Sequence, residues 1–431
     1  MAKQDNYDNV RARGFKALPM FSFLSLCKAM NKKRRQNVYI LPRCFGFNRG
    51  DLISQYGFVR TLVRHQPDAR IIIVTDGPGF EVEGDVIFIK NGILKDLVPR
   101  FAQLRYCRSG NTVLWAVGHD LVDESSVFII PHMYLKFLTY RLMGMRVHIV
   151  AQGAGPIETR FARFLVRRIM GIVTTASFRD RESLNLVSSI TNNCYIDKFS
   201  LVADAALLAV DNIPPHLNGR RPVLGINLRR WYHFNSIIPY EYRIRLGLLK
   251  NIPGDDTIRR LTNSFASFLD RLIEKYSLDV RFIPMYPPGG NIWEDDFKIA
   301  CDIVDKMAQQ DRTSILEEEL EPLDLLNEFS RLDAMIGVRL HSTIVATSVG
   351  VPSIHIYYSP KGKSYFKAIG EEQYCIPLDS IASENRWDLL DHAFTAMWHE
   401  RAAYRTRLSR SIKNLAIMAE SAVSILRKYN R

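Results

Sequence analysis

Residues 333–370, DAMIGVRLHSTIVATSVGVPSIHIYYSPKGKSYFKAIG, constrain the fold more than any other stretch. Ala334 to Gly337 is a short apolar run of the kind that forms a buried strand. Ser342 to Val349 suits a helix. Gly350 followed by Pro352 is a helix stop, because glycine accepts the left-handed turn and proline cannot extend the hydrogen-bond ladder. Val351 to Tyr358 is apolar and β-branched and reads as a second strand. Strand, helix and strand in so few residues make a crossover unit with parallel strands.

The turn between the first strand and the helix is Val338-Arg339-Leu340-His341-Ser342. In open parallel sheets, ligands settle beyond the carboxyl ends of the strands, where helix N-termini offer free N–H groups and a positive dipole end. Such a place suits a phosphate or a carboxylate. Arg339 adds a planar clamp for an anion. His341 adds a group that gives or takes a proton near neutral pH. Leu340 and Ser342 complete the turn. Tyr358 to Lys363 reads as a loop beside it, which brings Lys361. A lone arginine or histidine is most often a surface cation or a satisfied helix-start residue. An arginine, a histidine and a lysine on neighbouring strand ends of one crossover unit point to a site.

The alternation extends in both directions. The 431 residues suffice for two domains with separate cores, and 47% hydrophobic against 24% charged residues is ordinary for a globular protein. Strands are expected at Asn37–Leu41, Arg70–Thr75, Val86–Lys90, Val127–Ile130, Arg146–Ala151 and Val173–Phe178. Helices are expected at Leu52–His65 and Phe161–Met170, while 91–125 shows no clear period and reads as helical or irregular. Asp211 to Pro222 is rich in turn residues and reads as a linker. The pattern restarts with strands at Val223–Leu228 and Val280–Met285 and helices at Ile258–Tyr276 and Leu323–Phe329. Cys375–Leu378 reads as an edge strand and Arg386–Tyr429 as a long helical region. The chain thus divides into a basic extension (1–35), a first Rossmann-like domain (36–210), the linker (211–222), a second Rossmann-like domain (223–385) and a helical end (386–431). The class is α/β with parallel sheets.

The formal net charge of +13 suits an anionic partner. The cations are spread without an RNA-binding aromatic signature, so nucleic acid is not expected. Part of the excess lies in Arg11–Arg35 and Arg401–Arg431, ends suited to an anionic membrane surface or to solubility alone, and Leu18–Met30 reads as an interfacial helix or a short helix packed on the body. No uninterrupted apolar run is long enough to span a bilayer, and no small-residue cleavage site follows Leu18–Leu26, so a signal peptide is not expected. Six cysteines stand singly, which favours a reducing compartment and a cytoplasmic location. Glu294-Asp295-Asp296 is read as complement to a helix dipole rather than as metal ligands.

Beside this reading stands a resemblance. The Arg339-Leu340-His341-Ser342 turn, Gly350-Val351-Pro352 and the Tyr358-x-Pro360-Lys361 segment look like the polysaccharide pyruvyl transferase family. Asn48-Arg49-Gly50-Asp51 is similar to that family's N-x-G-D start, and Gly153-Ala154-Gly155-Pro156 to its G-x-G-P turn. Arg179-Asp180 with Glu182-Ser183, and Arg229 at a strand end, also match. Relatives carry a glycine-rich loop after the fourth strand; with that strand read at Val127–Ile130, the loop here is Pro131-His132-Met133.

The resemblance spans residues 37–380. It implies a GT-B-like pair of Rossmann-like domains facing across a cleft, with a terminal helix crossing back onto the first. It implies phosphoenolpyruvate as donor with no further cofactor, a glycan or lipid-linked oligosaccharide as acceptor, and a pyruvate ketal as product. Arg339, Arg229, Lys361 and Arg179 would hold the donor, with Asn48, Gly50, Leu340 and Ser342 around it. His341 and Asp51 would give and accept protons, in either order. Two other functions share the pattern: a nucleotide-sugar-dependent glycosyltransferase, and a non-catalytic factor of polysaccharide assembly, which the altered loop keeps open.

Overall fold

The computed structural model describes residues 37–45, 48–75, 77, 79–90, 106–123, 128–212, 219–229, 255–286, 295–358, 360–382 and 384–427. The first half contains β1 (Val38–Phe45), α1 (Arg49–His65), β2 (Arg70–Thr75), β3 (Asp85–Lys90), β4 (Thr112–Ala116), α2 (Ile129–Leu142), β5 (Arg146–Gln152), α3 (Arg160–Ile172), β6 (Thr175–Phe178), α4 (Arg181–Ile190) and β7 (Phe199–Leu201). A short 3-10 helix follows at Ala205–Ala209. The second half contains β8 (Val223–Asn227), α5 (Asp255–Tyr276), β9 (Asp279–Phe282), α6 (Asp296–Val304), β10 (Thr313–Ile315), α7 (Pro322–Ser330), β11 (Ala334–Gly337), α8 (Leu340–Ser348), β12 (Ser353–Tyr357), α9 (Pro360–Ile369), β13 (Cys375–Pro377), α10 (Leu378–Ala382) and α11 (Trp387–Arg427).

Two parallel sheets result. One runs β3-β2-β1-β4-β5-β6-β7 and the other β10-β9-β8-β11-β12-β13. Counted within each half, both follow the order 3-2-1-4-5-6, the first sheet adding a seventh strand at its edge, so each reverses its winding beside its first strand. In open α/β sheets, ligands bind at that switch point. α1 starts there in the first sheet and α8 in the second.

Both faces of the first sheet are covered, and side chains alternate between them. Tyr39, Leu41, Ile71 and Ile73 enter one apolar cluster, whereas Ile40 and Ile72 enter the other with α2 and α3. The first cluster does not end at the linker. It continues through Ala205–Ala209, α8, the second sheet and α11. Length alone suggested separate cores; here one core joins the halves. Gly57 permits the join, since a Cβ on it would lie 2.5 Å from the Ala205 carbonyl oxygen.

The N-terminus of α1 is anchored in the second half. The Arg49 backbone N–H donates to the Met285 carbonyl at 2.9 Å. Its guanidinium donates to the carbonyls of Pro284, at 2.7 Å, and Glu318. Burial pulls its pKa down to about 10 against the nearby carboxylates of Glu319, Asp296 and Glu318, so it stays charged at neutral pH. At the other end, α11 has 41 residues and spans about 60 Å. It docks on the second half through Arg271–Asp391 at 3.1 Å and through the Tyr404 hydroxyl on the Ser353 carbonyl at 3.0 Å. Farther along, Glu420 meets His65 of α1 at 2.6 Å. The terminal helix therefore crosses back, as the resemblance implied.

Several elements differ from the sequence reading. β4 lies inside the stretch that showed no period: its five residues are all buried, so no alternation betrays it. Of the strand expected at Val127–Ile130, Val127 lies outside the described residues and 128–130 are not a strand. α2 starts at Ile129 and runs through Pro131-His132-Met133, with the proline in the first turn, where its missing N–H removes no helical bond. The loop after the fourth strand is instead Val117-Gly118-His119-Asp120. It carries the expected glycine, which has φ +100° and would bring a Cβ within 2.3 Å of the Arg43 guanidinium carbon. The segment from Tyr358 to Lys363 is not all loop, because α9 begins at Pro360. β7 and β10, at three residues each, are too short to show a period. The proposed helix at Leu18–Met30 lies outside the described residues.

Replacing Arg49 with leucine removes its donors from the buried Pro284 carbonyl and the partly buried Glu318 carbonyl. We expect urea unfolding to report a loss of about 2–4 kcal/mol. An unchanged midpoint would show that the anchor does not hold the halves.

Candidate active site

Two helix N-termini meet where the sheets approach. Asn48 caps α1, its Oδ1 accepting from the backbone N–H of Gly50 at 2.8 Å and of Asp51 at 3.3 Å. Asp51 is therefore not the cap. Gly50 lacks a side chain because His341, in the first turn of α8, fills the space: a Cβ would lie 2.3 Å from the His341 Cβ. Ser342 is wholly buried and donates its hydroxyl to the Arg339 carbonyl at 2.6 Å. Leu340 packs against the apolar core. These two residues hold the turn in shape.

Asp204 was not singled out in the sequence, yet it is the pivot of this junction. Its Oδ1 accepts from the Ala206 N–H at 3.0 Å and from the Ser54 hydroxyl at 3.3 Å. Its Oδ2 lies 2.8 Å from Arg179 Nη1 and 3.6 Å from His341 Nε2. Arg179 Nη1 is itself 3.3 Å from His341 Nε2. A carboxylate and a guanidinium of the first half thus meet an imidazole of the second. Burial pushes the Asp204 carboxyl up, but the Arg179 guanidinium and His341 outweigh it and hold it well below the usual carboxylate range. The signal in the sequence is a single acid inside the apolar run SLVADAALLAV. Such an acid is seldom buried without a partner.

Arg339, also almost wholly buried, is gripped by Asp296. Its Nε donates to Oδ2 at 2.6 Å and its Nη2 to Oδ1 at 2.8 Å. Asp296 further accepts from the Met285 N–H at 3.0 Å and from Asn227 Nδ2 at 3.3 Å, while Asn227 Oδ1 receives the Arg339 N–H at 3.1 Å. The guanidinium carbon stands 4.5 Å from the Tyr286 ring centre. Asp295 caps α6 through the Lys298 N–H at 2.9 Å. The acidic run therefore serves a cap and an ion pair. Among the described residues, no group of three or more His, Cys, Asp or Glu is placed to hold a metal ion.

Asp51 belongs to a third group. Its Oδ2 lies 3.6 Å from Arg43 Nη2. Arg43 Nε donates to Asp120 Oδ2 at 2.6 Å, and Trp115 Nε1 reaches the same oxygen at 2.8 Å. Burial alone would lower the Arg43 pKa; Asp120 and Asp51 more than reverse this, with Tyr286 contributing. Tyr286 thus connects the Asp51 group to Arg339. His119 Nε2 contacts the Gly155 carbonyl at 2.7 Å, interlocking the β4 loop with the G-x-G-P turn. Asp180 caps α4, accepting from the Ser183 N–H at 2.7 Å. Arg229 follows β8 and donates to the Tyr358 hydroxyl, at the end of β12, at 2.7 Å. Lys361 lies in the first turn of α9, and its side chain is outside the described residues.

Two parallel sheets of one topology, with polar groups gathered where their carboxyl edges meet, define a GT-B-like two-lobed fold. Solved structures of this fold are similar to the chain. The glycosyltransferase of Rickettsia africae has a TM-score of 0.52 at 9% identity, covering 92% of this chain and 99% of that one. The UDP-GlcNAc 2-epimerase of Neisseria meningitidis has a TM-score of 0.50 at 13% identity, covering 91% and 99%. Those likenesses concern the fold alone.

The sequence decides the family. The profile of the polysaccharide pyruvyl transferases matches residues 48–360, and the chain belongs to that family. It is a transferase with a pyruvyl-transfer role in exopolysaccharide biosynthesis. The amylovoran biosynthesis protein AmsJ of Erwinia amylovora is 28% identical over 302 residues, covering 68% of this chain and 67% of that protein.

The depressed Asp204 pKa has a consequence for stability. A carboxylate whose folded pKa lies below its ordinary 3.8 contributes stability above that value and loses it as pH falls towards the folded pKa. Below about pH 5 the Asp204→Asn variant should lose thermal stability less steeply than the parent. Equal slopes would show that Asp204 is not held ionised.

Proposed function

We propose that the chain moves the pyruvyl group of phosphoenolpyruvate onto two hydroxyls of one sugar in an exopolysaccharide or another cell-surface glycan, forming a ketal where α1 and α8 meet. The observation that carries this reading is the cluster of Arg179, Asp204 and His341 packed on Gly50. The donor is a phosphate and a carboxylate on three carbons. Arg339, Arg229 and Lys361 are the cations assigned to it, assisted by the N-terminus of α8. Asn48 and Gly50 shape the facing wall, and Arg179 holds the pocket's charge through Asp204.

His341 is assigned as the acid and Asp51 as the base. His341 Nε2 lies 3.6 Å from Asp204 Oδ2, and Asp51 Oδ2 lies 3.6 Å from Arg43 Nη2. His341 gives its proton to C3, which becomes a methyl group. The first sugar hydroxyl adds to C2 and passes its proton to Asp51. The bond from C2 to the phosphate oxygen then breaks, and the electron pair leaves with phosphate, which takes the proton from Asp51. The second hydroxyl adds to C2 and returns a proton to His341. The products are the ketal and inorganic phosphate, and both residues regain their starting states. Fixed cations around the phosphate stabilise its departure.

The scheme uses no further cofactor. The acceptor is assigned as a glycan or lipid-linked oligosaccharide, and the cationic ends fit peripheral contact with the cytoplasmic side of an anionic membrane. No helix among the described residues is long and apolar enough to cross a membrane. The domain limits 36–210 and 223–385 are kept as the working division.

Phosphate release from phosphoenolpyruvate, measured with galactose- and glucose-containing acceptors, tests the assignment. His341→Ala and Asp51→Asn should each slow release by about 100-fold or more. Asp204→Asn should also slow release, because His341 loses the carboxylate that faces its Nε2. Release at the parental rate from His341→Ala would remove that residue from the mechanism.

A further inference from the structure

Of the eight large hydrophobic residues exposed among the described residues, five lie on or next to two helices of the first half. Phe128, just before α2, is 63% exposed, and Leu135 and Leu142 on α2 are 61% and 80% exposed. The spacing of seven residues puts all three along one stripe of the helix. On α3, Phe161 and Phe164 are 61% and 55% exposed. α2 and α3 pack against each other, and both bury their opposite sides on the same face of the first sheet. Their outward sides therefore form one surface. Large hydrophobics scattered singly need no explanation, but a group on adjoining helices marks an interaction face.

The charges on the two helices have one sign, and the exposed Glu158 stands just before α3. Lys136 and Arg141 lie on α2, and Arg160, Arg163, Arg167 and Arg168 on α3; neither helix contains an aspartate or glutamate. Around α3 the buried residues are Ala162, Leu165, Val166, Ile169 and Met170, so the arginines share the outer side with Phe161 and Phe164. Arg163 and Arg167 each donate to a backbone carbonyl, of Ile157 and Ile190.

We infer that the outer faces of α2 and α3 dock on an anionic lipid bilayer, the phenyl and leucyl groups entering the acyl boundary and the arginines meeting lipid phosphates. An amphipathic surface with cations flanking aromatic and aliphatic groups has that chemistry. A second copy of the chain fits poorly: a two-fold contact would set these cations against their own equivalents with no acid on either helix. Leu135 and Leu142 offer a nucleic acid neither stacking nor hydrogen bonds. Helices that follow parallel strands start at the carboxyl edge of the sheet, so Phe128, Arg160 and Phe161 lie on the side of the active crevice. A bilayer there brings lipid-linked sugars to the site. The choice of acceptor rests on the proposed function; the docking itself does not.

The test is sedimentation of the full chain with vesicles of phosphatidylcholine alone and of phosphatidylcholine mixed with phosphatidylglycerol. The parent should pellet with the mixed vesicles and be released by salt. Phe161→Asp with Phe164→Asp, and separately Arg160→Glu with Arg168→Glu, should each weaken binding by about tenfold or more. Both double variants should release phosphate at the parental rate with a water-soluble acceptor. Binding by the parent that ignores phosphatidylglycerol, or equal binding by the variants, would overturn the proposal. So would preferential capture of a single-stranded RNA over the mixed vesicles, or a concentration-dependent dimer abolished by the variants. Vesicle binding as expected in a protein that releases no phosphate would leave this surface standing and defeat the pyruvyl-transfer scheme instead.

Discussion

The first turn of α1 is the contact on which the rest depends. Within a few residues it caps itself through Asn48, plants Arg49 on carbonyls of the second half, and leaves Gly50 bare beneath His341. One turn further on, the Ser54 hydroxyl reaches Asp204. A charged donor in a buried hydrogen bond contributes about 1.5–3 kcal/mol, so Arg49 supplies a meaningful part of a typical domain's stability. The same turn fixes where the imidazole lies relative to its carboxylate partner. Stability and chemistry therefore depend on the same few atoms.

The arginines around the crevice are held in place. Arg43 is held by Asp120, Arg179 by Asp204 and Arg339 by Asp296. A guanidinium gripped on one side by a carboxylate loses rotamer freedom before any ligand arrives, which lowers the ordering cost of binding. Removing such a carboxylate would strand a buried charge, a change that typically costs about 3–5 kcal/mol. The arrangement trades some positive potential for fixed geometry. Tyr286, against Arg339 and within electrostatic reach of Arg43, ties two of these pairs together.

Much of this was legible in the chain. The crossover around Arg339 and His341 is plain because strand, stop signals and β-branched strand follow in order, and its strand limits at Ala334 and Gly337 match the structure. The parallel class followed from alternation in both halves. β4 was obscured because TVLWA is buried on both faces and shows no period. That omission shifted the expected glycine loop from Gly118 to Pro131, and the case for a non-catalytic assembly factor rested on the shift. Asp204 escaped notice, and Asp296 was read only as complement to a helix dipole, for another reason. Each acts on a residue far away in sequence, and no local pattern records a partner brought near by folding.

The most direct measurement is phosphate release from phosphoenolpyruvate by the Gly50→Ala variant, alongside its thermal unfolding. The new methyl group would fall 2.3 Å from the His341 Cβ, so the two helix ends must separate. If catalysis requires the imidazole at its present position between the lobes, the rate falls by about 100-fold while unfolding remains cooperative. A folded variant that turns over at the parental rate would contradict the account.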